Sequence, residues 1–365
     1  MNSVFRKITL GESCKMYQPK TISTDMLVPN GKYLVYGANG VIGRYSEYNH
    51  EEREILMTCR GATCGTINVS EPYSWINGNA MVIHPLDPEI LFEFLKYQLE
   101  ALDLSEVITG AAQPQITRQS LYSVPIVIPS QEDQQRIVAE LDLLSGIIEK
   151  KNAQLKILDD LAQSIYFEMF GDEEEKTPLS TYITELSGGK SLAGDEENQY
   201  KVLKTGAVTY DYFRGDDVKN LPLDYIPREE DRVKKGDLLI SRMNTAELVG
   251  AVAYVWNVNP NIYLPDRLWR ASLTEAANPI FIWKALIQFD AKQQIRSLAS
   301  GTSGTMKNIS KPKLLSVTIP KVSRERQDSF AQRLHATERQ RNCIKESKKV
   351  ATDLFASRLN QYFNV

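Results

Sequence analysis

The stretch SGGKS at 187–191 ends as a phosphate-binding loop does, where glycine backbone N–H groups cradle phosphates and a lysine meets their charge. Thr184 stands where the first glycine belongs, so the cradle is incomplete and a flexible basic loop is the better reading. DNA amino-methyltransferases hold the target amine with an Asn or an acid followed by Pro-Pro-aromatic. NPNIY at 259–263 lacks the second proline and carries its aromatic one place too late. No glycine-rich loop follows an early strand with a ribose-binding acid, so no AdoMet site is expected. Glu346-Ser-Lys348 has the E-x-K spacing of many nucleases, but it sits in a helical stretch with no Asp partner nearby. His50, His84 and His335 are scattered, and Cys59-x4-Cys64 offers only two of the ligands a zinc site needs. The chain is therefore expected to perform no chemistry and to hold no metal or cofactor.

Composition narrows the classes further. The chain's 365 residues suffice for two or three domains, and its 42% hydrophobic content can fill their cores. No apolar run approaches the roughly 18 residues of a membrane span. The opening MNSVFRKITLGESC has no continuous apolar region or cleavage pattern, so no signal peptide is expected. Cys14, Cys59, Cys64 and Cys343 form no C-x-x-C pair, which suits reduced thiols and a cytoplasmic location. The net charge of −3 decides little, because binding to nucleic acid depends on local patches.

The elements that would position any functional group are written twice. QITRQSLYSVPIVIPSQEDQ, from Gln115 to Gln134, aligns without a gap with NISKPKLLSVTIPKVSRERQ, from Asn308 to Gln327. Ile, Leu, Ser, Val, Ile, Ser, Glu and Gln coincide, far above chance. Downstream of the first copy, Ile137, Leu141, Leu144, Ile148, Leu155, Leu158, Ala162, Ile165 and Met169 alternate at spacings of four and three, with Lys151 filling the one gap. That pattern predicts a long helix with a coiled-coil seam over 131–170, ended by Gly171 and an acidic linker. Downstream of the second copy, Phe330, Leu334, Ile344, Ala351, Phe355 and Tyr362 hold equivalent places, but Thr337, Arg341, Lys348 and Arg358 interrupt the seam. Residues 131–170 carry four basic and eight acidic side chains, and residues 324–360 nine and five, giving −4 and +4. Two long helices of opposite sign are expected to pair with each other.

The segments upstream also repeat. ILMT at 55–58 resembles LLIS at 238–241, each a short apolar strand entering an Arg-bearing loop. DPEILFEFL from Asp87 and NPIFIWKAL from Asn278 each place an N-cap residue before proline, predicting helices to about Ala101 and about Phe289. Short strands such as KYLVYG, TINV, YKVLKTG and VGAVAYVW lie between Gly, Asn and Asp turns. Each globular half is expected to be α+β with a mixed or antiparallel sheet.

The order of domain, helix, domain, helix resembles the specificity subunit of type I restriction–modification systems. So do YGANGVIGRYSEY at 36–48, YKVLKTGAVTYDYF at 200–213, KKGDLLISR at 234–242 and the VPIVIPSQEDQQRIV joint, and the resemblance covers essentially the whole chain. It implies a target recognition domain at 1–130, a central long helix at 131–171, a second target recognition domain at 172–323 and a C-terminal long helix at 324–365. It further implies that the helices form an antiparallel coiled coil, giving a pseudo-twofold body. The implied partners are double-stranded DNA with a bipartite target, two methyltransferase subunits and restriction subunits. AdoMet would sit on the methyltransferase, and ATP and Mg on the restriction subunit, leaving this chain non-catalytic. A helix of about forty residues is roughly 60 Å long, more than one turn of B-DNA, so a rod of that length suits two readers and an unread spacer. Two rivals remain: a coiled-coil scaffold or decoy without a DNA target, and the recognition region of a single-chain methyltransferase–endonuclease.

Within that resemblance, the groups expected to meet DNA are basic and amide side chains in turns, which can clamp phosphates or read base edges. In the first half these are Asn39 in GANG, Arg44, Arg60 after the ILMTC strand, and Gln113 and Gln115 before the joint. In the second half they are Lys190 in SGGKS, Lys204 in LKTG, Arg242 and Asn244 in SRMN, and Lys307 in the loop before the second joint. Arg242 is expected to follow its strand as Arg60 does. Arg267 and Arg270 flank Trp269, and a cation–π pair is the expected use of that cluster.

Overall fold

The structure is a computed structural model that describes residues 6–110, 113–303 and 306–363. Its contacts divide the chain into two units, Met1–Ala153 with Ile344–Val365, and Gln154–Cys343. The boundary falls inside both long helices, Gln131–Phe170 and Arg324–Phe363. Each half-helix packs on the globular part of its own unit, so a contact division cuts across the linear order.

The first unit holds a four-stranded antiparallel sheet in the order Cys14–Tyr17, Ala80–Pro85, Ile55–Thr58, Ile67–Val69. Beside it lies a three-stranded sheet, Gly40–Tyr45, Tyr33–Gly37 and Trp75–Ile76, whose last pair is parallel. The second unit repeats both. Its four-stranded sheet runs Ile183–Ser187, Leu268–Leu273, Leu238–Ser241, Val252–Tyr254, and its three-stranded sheet Val218–Asn220, Lys201–Leu203, Ile262–Tyr263, again with the last pair parallel. The α+β, mixed-sheet expectation holds in each unit.

ILMT and LLIS are apolar runs rather than alternating strands because both of their faces are buried. Ile55 and Met57 point into the core under the helices, while Leu56 points into a second core with Tyr36, Ile76 and Val82. Leu238 and Ile240 face one core of the second unit and Leu239 the other. The pleat sends alternate side chains to opposite faces, and here each face has a hydrophobic layer to meet.

The duplicated joint folds the same way twice. A one-turn helix (Arg118–Tyr122; Lys311–Leu315) leads to a short strand (Pro125–Ile128; Thr318–Pro320), which pairs antiparallel with the strand opening its unit, Arg6–Thr9 or Lys176–Pro178. The matched apolar residues are the buried ones, Ile116 and Ile309, Leu121 and Leu314, Val124 and Val317, Ile126 and Ile319. The last identity is polar. Gln134 and Gln327, in the first turn of each long helix, are both 0% exposed. Gln134 Nε2 donates to the carbonyls of Glu89 (2.9 Å) and Pro129 (3.0 Å), and its Oε1 accepts from Leu91 N–H at 2.9 Å. Gln327 Nε2 donates to Ala276 (3.1 Å) and Val322 (2.8 Å), and its Oε1 accepts from Asn278 N–H at 2.8 Å. One buried amide thus ties the start of each long helix to the N-cap of the helix beneath it and satisfies backbone groups that burial would otherwise strand.

Those bonds correct one expected alignment. Asn278 does cap its helix, accepting from Ile280 N–H with Pro279 at the first position. Asp87 does not: it closes a turn, accepting from Glu89 N–H, and the helix runs Phe92–Ala101 with Leu91 as N-cap. Leu91, not Asp87, is the counterpart of Asn278, four residues later than the shared proline suggests. The second helix also ends earlier than expected, at Leu286, and a separate helix spans Phe289–Leu298.

The seam of the first long helix is its buried face: Ile137, Leu141, Leu144, Leu158, Ala162 and Ile165 are all buried. Arginines of the second long helix meet acids, Arg341 and Arg358 from the interrupted seam and Arg326 and Arg333 from beside it. Within the second unit Arg341 contacts Asp159 at 2.5 Å, Arg333 contacts Glu168 at 2.8 Å and Arg326 contacts Glu173 at 2.7 Å. Within the first unit Arg358 lies 2.8 Å from Glu140, which also accepts from the Tyr362 hydroxyl. The opposite net charges are used residue by residue.

Candidate nucleic-acid interface

In the first unit three loops converge at one end of the sheets. The hairpin from Tyr33–Gly37 to Gly40–Tyr45 turns through Ala38 and Asn39, with Gly40 at φ +108°, where a side chain would be strained. The exposed Asn39 side chain is held rather than loose: its Oδ1 accepts from Thr63 Oγ1 at 2.7 Å and Thr58 Oγ1 at 3.1 Å. That leaves its amide N–H groups for a ligand acceptor. Thr58 ends the central strand, after which Arg60 bridges to Gln115 and Gly61 N–H donates to the Pro114 carbonyl at 2.9 Å. Gln115 also exchanges backbone bonds with Thr109, so its backbone is fixed while its side chain stays exposed. Gln113 is exposed two residues earlier. Asn39, Arg60, Gln113 and Gln115 thus belong to one connected loop cluster, and Arg60 makes no side-chain hydrogen bond or ion pair among the described residues.

Arg44 lies apart from that cluster. It pairs in register with Leu34, and its guanidinium donates to the Gly31 (2.6 Å) and Lys32 (3.0 Å) carbonyls, so it braces the entry to the hairpin.

In the second unit Arg242, Asn244 and Lys307 come together. Met243 and Asn244 pair with Asn308 and Lys307 in a small three-stranded sheet. Asn244 Nδ2 reaches Thr209 Oγ1 at 3.4 Å, and Lys307 Nζ donates to the Gly301 carbonyl at 2.7 Å. Arg242 lies over the Trp269 ring at 5.8 Å, and its buried Nε has no hydrogen-bond partner among the described residues. The cation on Trp269 is therefore Arg242, not the flanking arginines. Arg270 is spent on Asp237 (2.9 Å) and on backbone carbonyls.

Lys190 and Lys204 are elsewhere in that unit. Lys204 opens the long connection that replaces the Ala38–Asn39 turn and sits 3.9 Å from Asp217. Lys190 stands 5.9 Å from the Tyr225 ring. The glycines of SGGKS serve packing. Gly189 N–H donates to the Pro265 carbonyl at 3.0 Å, and a Cβ there would meet the Leu264 carbonyl oxygen at 1.9 Å. Ser191 is bonded to the Asp266 carboxylate, which would repel a phosphate.

The repeat also corrects the pairing of Arg60 with Arg242. Ile116 N–H donates to the Cys59 carbonyl at 2.9 Å, and Ile309 N–H to the Arg242 carbonyl at 3.0 Å. Cys59 is thus the counterpart of Arg242, and Arg60 that of Met243. The two arginines are one residue out of step, and in an extended segment that points them to opposite faces.

Other reactive groups are quiet. Among the described residues no group of three or more His, Cys, Asp or Glu could hold a metal. Burial pushes the Cys59 thiol up to about 11, so it is neither nucleophile nor ready ligand at neutral pH. His50 Nε2 lies 2.8 Å from the Tyr17 hydroxyl, and the partly exposed His84 pairs its Nδ1 with the buried Glu54 at 2.9 Å. Among the described residues no helix is long and apolar enough to cross a membrane. Sequence reasoning missed the threonines that hold Asn39 and the tryptophan under Arg242; the doubled joint was the one signal that pointed to Gln134 and Gln327.

The two units thus share one α+β plan, and each gathers amide and basic side chains in its loops. Residues 2–157 match the model of the type I restriction modification DNA specificity domain. The chain is similar to the EcoprrI specificity subunit of Escherichia coli, with 28% identity over 141 residues, 38% of this chain and 35% of that protein. It is also similar to the EcoKI specificity subunit of Escherichia coli K12, with 25% identity over 289 residues, 73% of this chain and 59% of that protein. The matches therefore span less than two thirds of those relatives. The fold is that of the type I S subunit from M. genitalium, with TM-score 0.63, 16% identity, and 98% and 96% of the two chains covered. A chain solved in work on assembly and conformational transition of the type I R-M system gives TM-score 0.50 at 17% identity, covering 100% and 98%. The sequence match to the type I specificity domain thus covers residues 2–157, and the likeness to the solved S subunits extends the shared fold over the rest of the chain.

Proposed function

We propose that this chain is the DNA-recognition subunit of a type I restriction–modification complex, each unit reading one part of a bipartite target. The observation that carries this is the duplication itself: the same two sheets, the same joint and the same buried glutamine set two loop clusters on two long helices. One reader duplicated in this way suits a split site better than a single contiguous one. The helices pair as an antiparallel coiled coil that separates the readers and docks two methyltransferase subunits, with restriction subunits joining through them. The chain does no chemistry. AdoMet belongs to the methyltransferase, which modifies an adenine in each half-site after drawing it from the duplex, and ATP and Mg belong to the restriction subunit.

The test is the methylome of cells with and without this chain, its methyltransferase partner present in both. A bipartite adenine motif should vanish on deletion. An unchanged methylome would favour a scaffold or decoy.

Within that reading, Arg60→Ala should relax one base position in one half-site and Arg242→Ala one in the other. A bidentate arginine on guanine costs about 1–3 kcal/mol when lost. Binding to oligonucleotides mutated in one half at a time separates the two. Equal losses on random DNA would make both arginines phosphate clamps.

A further inference from the structure

A cavity of about 230 Å³ opens in the second unit, lined by both long helices, the helix Pro279–Leu286, Trp256 and the 210–212 loop. Its acids already have partners. Asp159 and Glu338 share Arg341 at 2.5 and 3.3 Å, and Glu338 also accepts from the Tyr212 hydroxyl. Asp211 holds Lys292 at 2.6 Å and accepts from Val252 N–H at 2.9 Å. What remains without a polar partner is a pair of donors. Lys284 is 8% exposed and makes no hydrogen bond or ion pair among the described residues; its ammonium rests 4.6 Å from the Trp283 ring centre. Trp256 Nε1 is buried and has no hydrogen-bond partner among the described residues.

The first unit shows that the fold does not require this. Leu91 and Asn278 are counterparts through their bonds to the buried glutamines, so Tyr97, six residues after Leu91, is the counterpart of Lys284. Tyr97 is 2% exposed and its hydroxyl donates to Asp142 at 2.7 Å, so the side chain at that position is paired. A buried ammonium without a contacting counter-ion lowers stability unless something supplies an acceptor. The surrounding walls, Trp283, Ile287 and Leu334, are flat or aliphatic.

We propose that this cavity binds a small monocarboxylate with a flat apolar body, its carboxylate accepting from Lys284 Nζ and Trp256 Nε1 and its body lying against Trp283, Ile287 and Leu334. Neither the DNA loops nor the joint glutamines take part, so the site is independent of the recognition reading. The charged groups facing Lys284 are Arg341, Asp159, Glu338 and Asp211, each already engaged with another partner. Burial lowers the Lys284 ammonium to about 8, so it is mostly charged at pH 7 and mostly neutral at pH 9.

Benzoate and its neutral isostere benzamide are the probes, titrated into the full chain by calorimetry. Benzoate should bind saturably, benzamide at least tenfold more weakly, and benzoate about tenfold more weakly at pH 9 than at pH 7. Lys284→Met should abolish binding while raising the melting temperature of the free chain, because an unpaired buried charge is replaced by an apolar side chain of similar length. Trp256→Phe, which keeps an aromatic ring and removes the N–H, should weaken binding several-fold, and it serves as the test should Lys284→Met not fold. The proposal is overturned by the absence of saturable benzoate binding up to roughly 10 mM, far weaker than a formed site should give. It is equally overturned by equal affinity for benzamide, or by benzoate affinity unchanged in Trp256→Phe.

Discussion

Gln134→Met is expected to destabilise the first unit by about 3–5 kcal/mol, and Gln327→Met to do the same to the second. Methionine fills nearly the same volume, so no large cavity is opened. The loss comes from three backbone groups in each unit, the N–H of Leu91 or Asn278 and two carbonyls, left buried without partners. Each orphaned group costs about 1–3 kcal/mol, and partial relaxation keeps the sum below the maximum. The local signature is specific: amide exchange at Leu91 should accelerate in Gln134→Met while that at Asn278 stays unchanged, with the reverse in Gln327→Met. Urea unfolding within about 0.5 kcal/mol of the parent would show that the doubled amide is incidental to the joint.

Lengthening both long helices by one heptad, after Lys151 and after Lys349, should change the spacer and leave the half-sites alone. Seven residues keep the seam in phase, so the helices can still pair. They add about 10 Å at 1.5 Å per residue, close to the rise of three base pairs. Selection from a library of fixed half-sites and varied spacers should therefore favour a spacer about three pairs longer. Those pairs also rotate the second half-site by roughly 100°, so affinity for the best spacer should fall even though a new optimum appears. A variant that assembles and still prefers the original spacer at unchanged affinity would show that the helices do not set the distance.

Both predictions start from features legible in the chain. The long helices could be read because their seam is a local periodicity, and Ile137, Leu141 and Leu144 at one end and Leu158, Ala162 and Ile165 at the other turn out buried. ILMT and LLIS could be read as strands because a run buried on both faces has no polar alternation to hide it. The joint could be read because its matched residues are core residues, constrained in the same way twice. Surface turns gave weaker signals. Asn39 was visible as a turn residue, but its fixing by Thr58 and Thr63 was not, since those bonds span 19 and 24 residues.

What the tertiary structure alone decided is register and company. The shared proline placed Asp87 opposite Asn278, but the glutamine bonds, spanning 43 and 49 residues, place Leu91 there. A one-residue slip likewise separates Arg60 from Arg242, because the carbonyl that meets Ile116 belongs to Cys59 and the one that meets Ile309 belongs to Arg242. Lys284 lies in a helix whose sequence gives no sign of an unpaired charge; only the packing of distant helices and loops around it makes it solitary. Local sequence determines which elements form, since periodicity and turn chemistry act over a few residues. The partners of a buried polar atom are set by long-range packing, where a shift of a single residue exchanges one face of an element for the other.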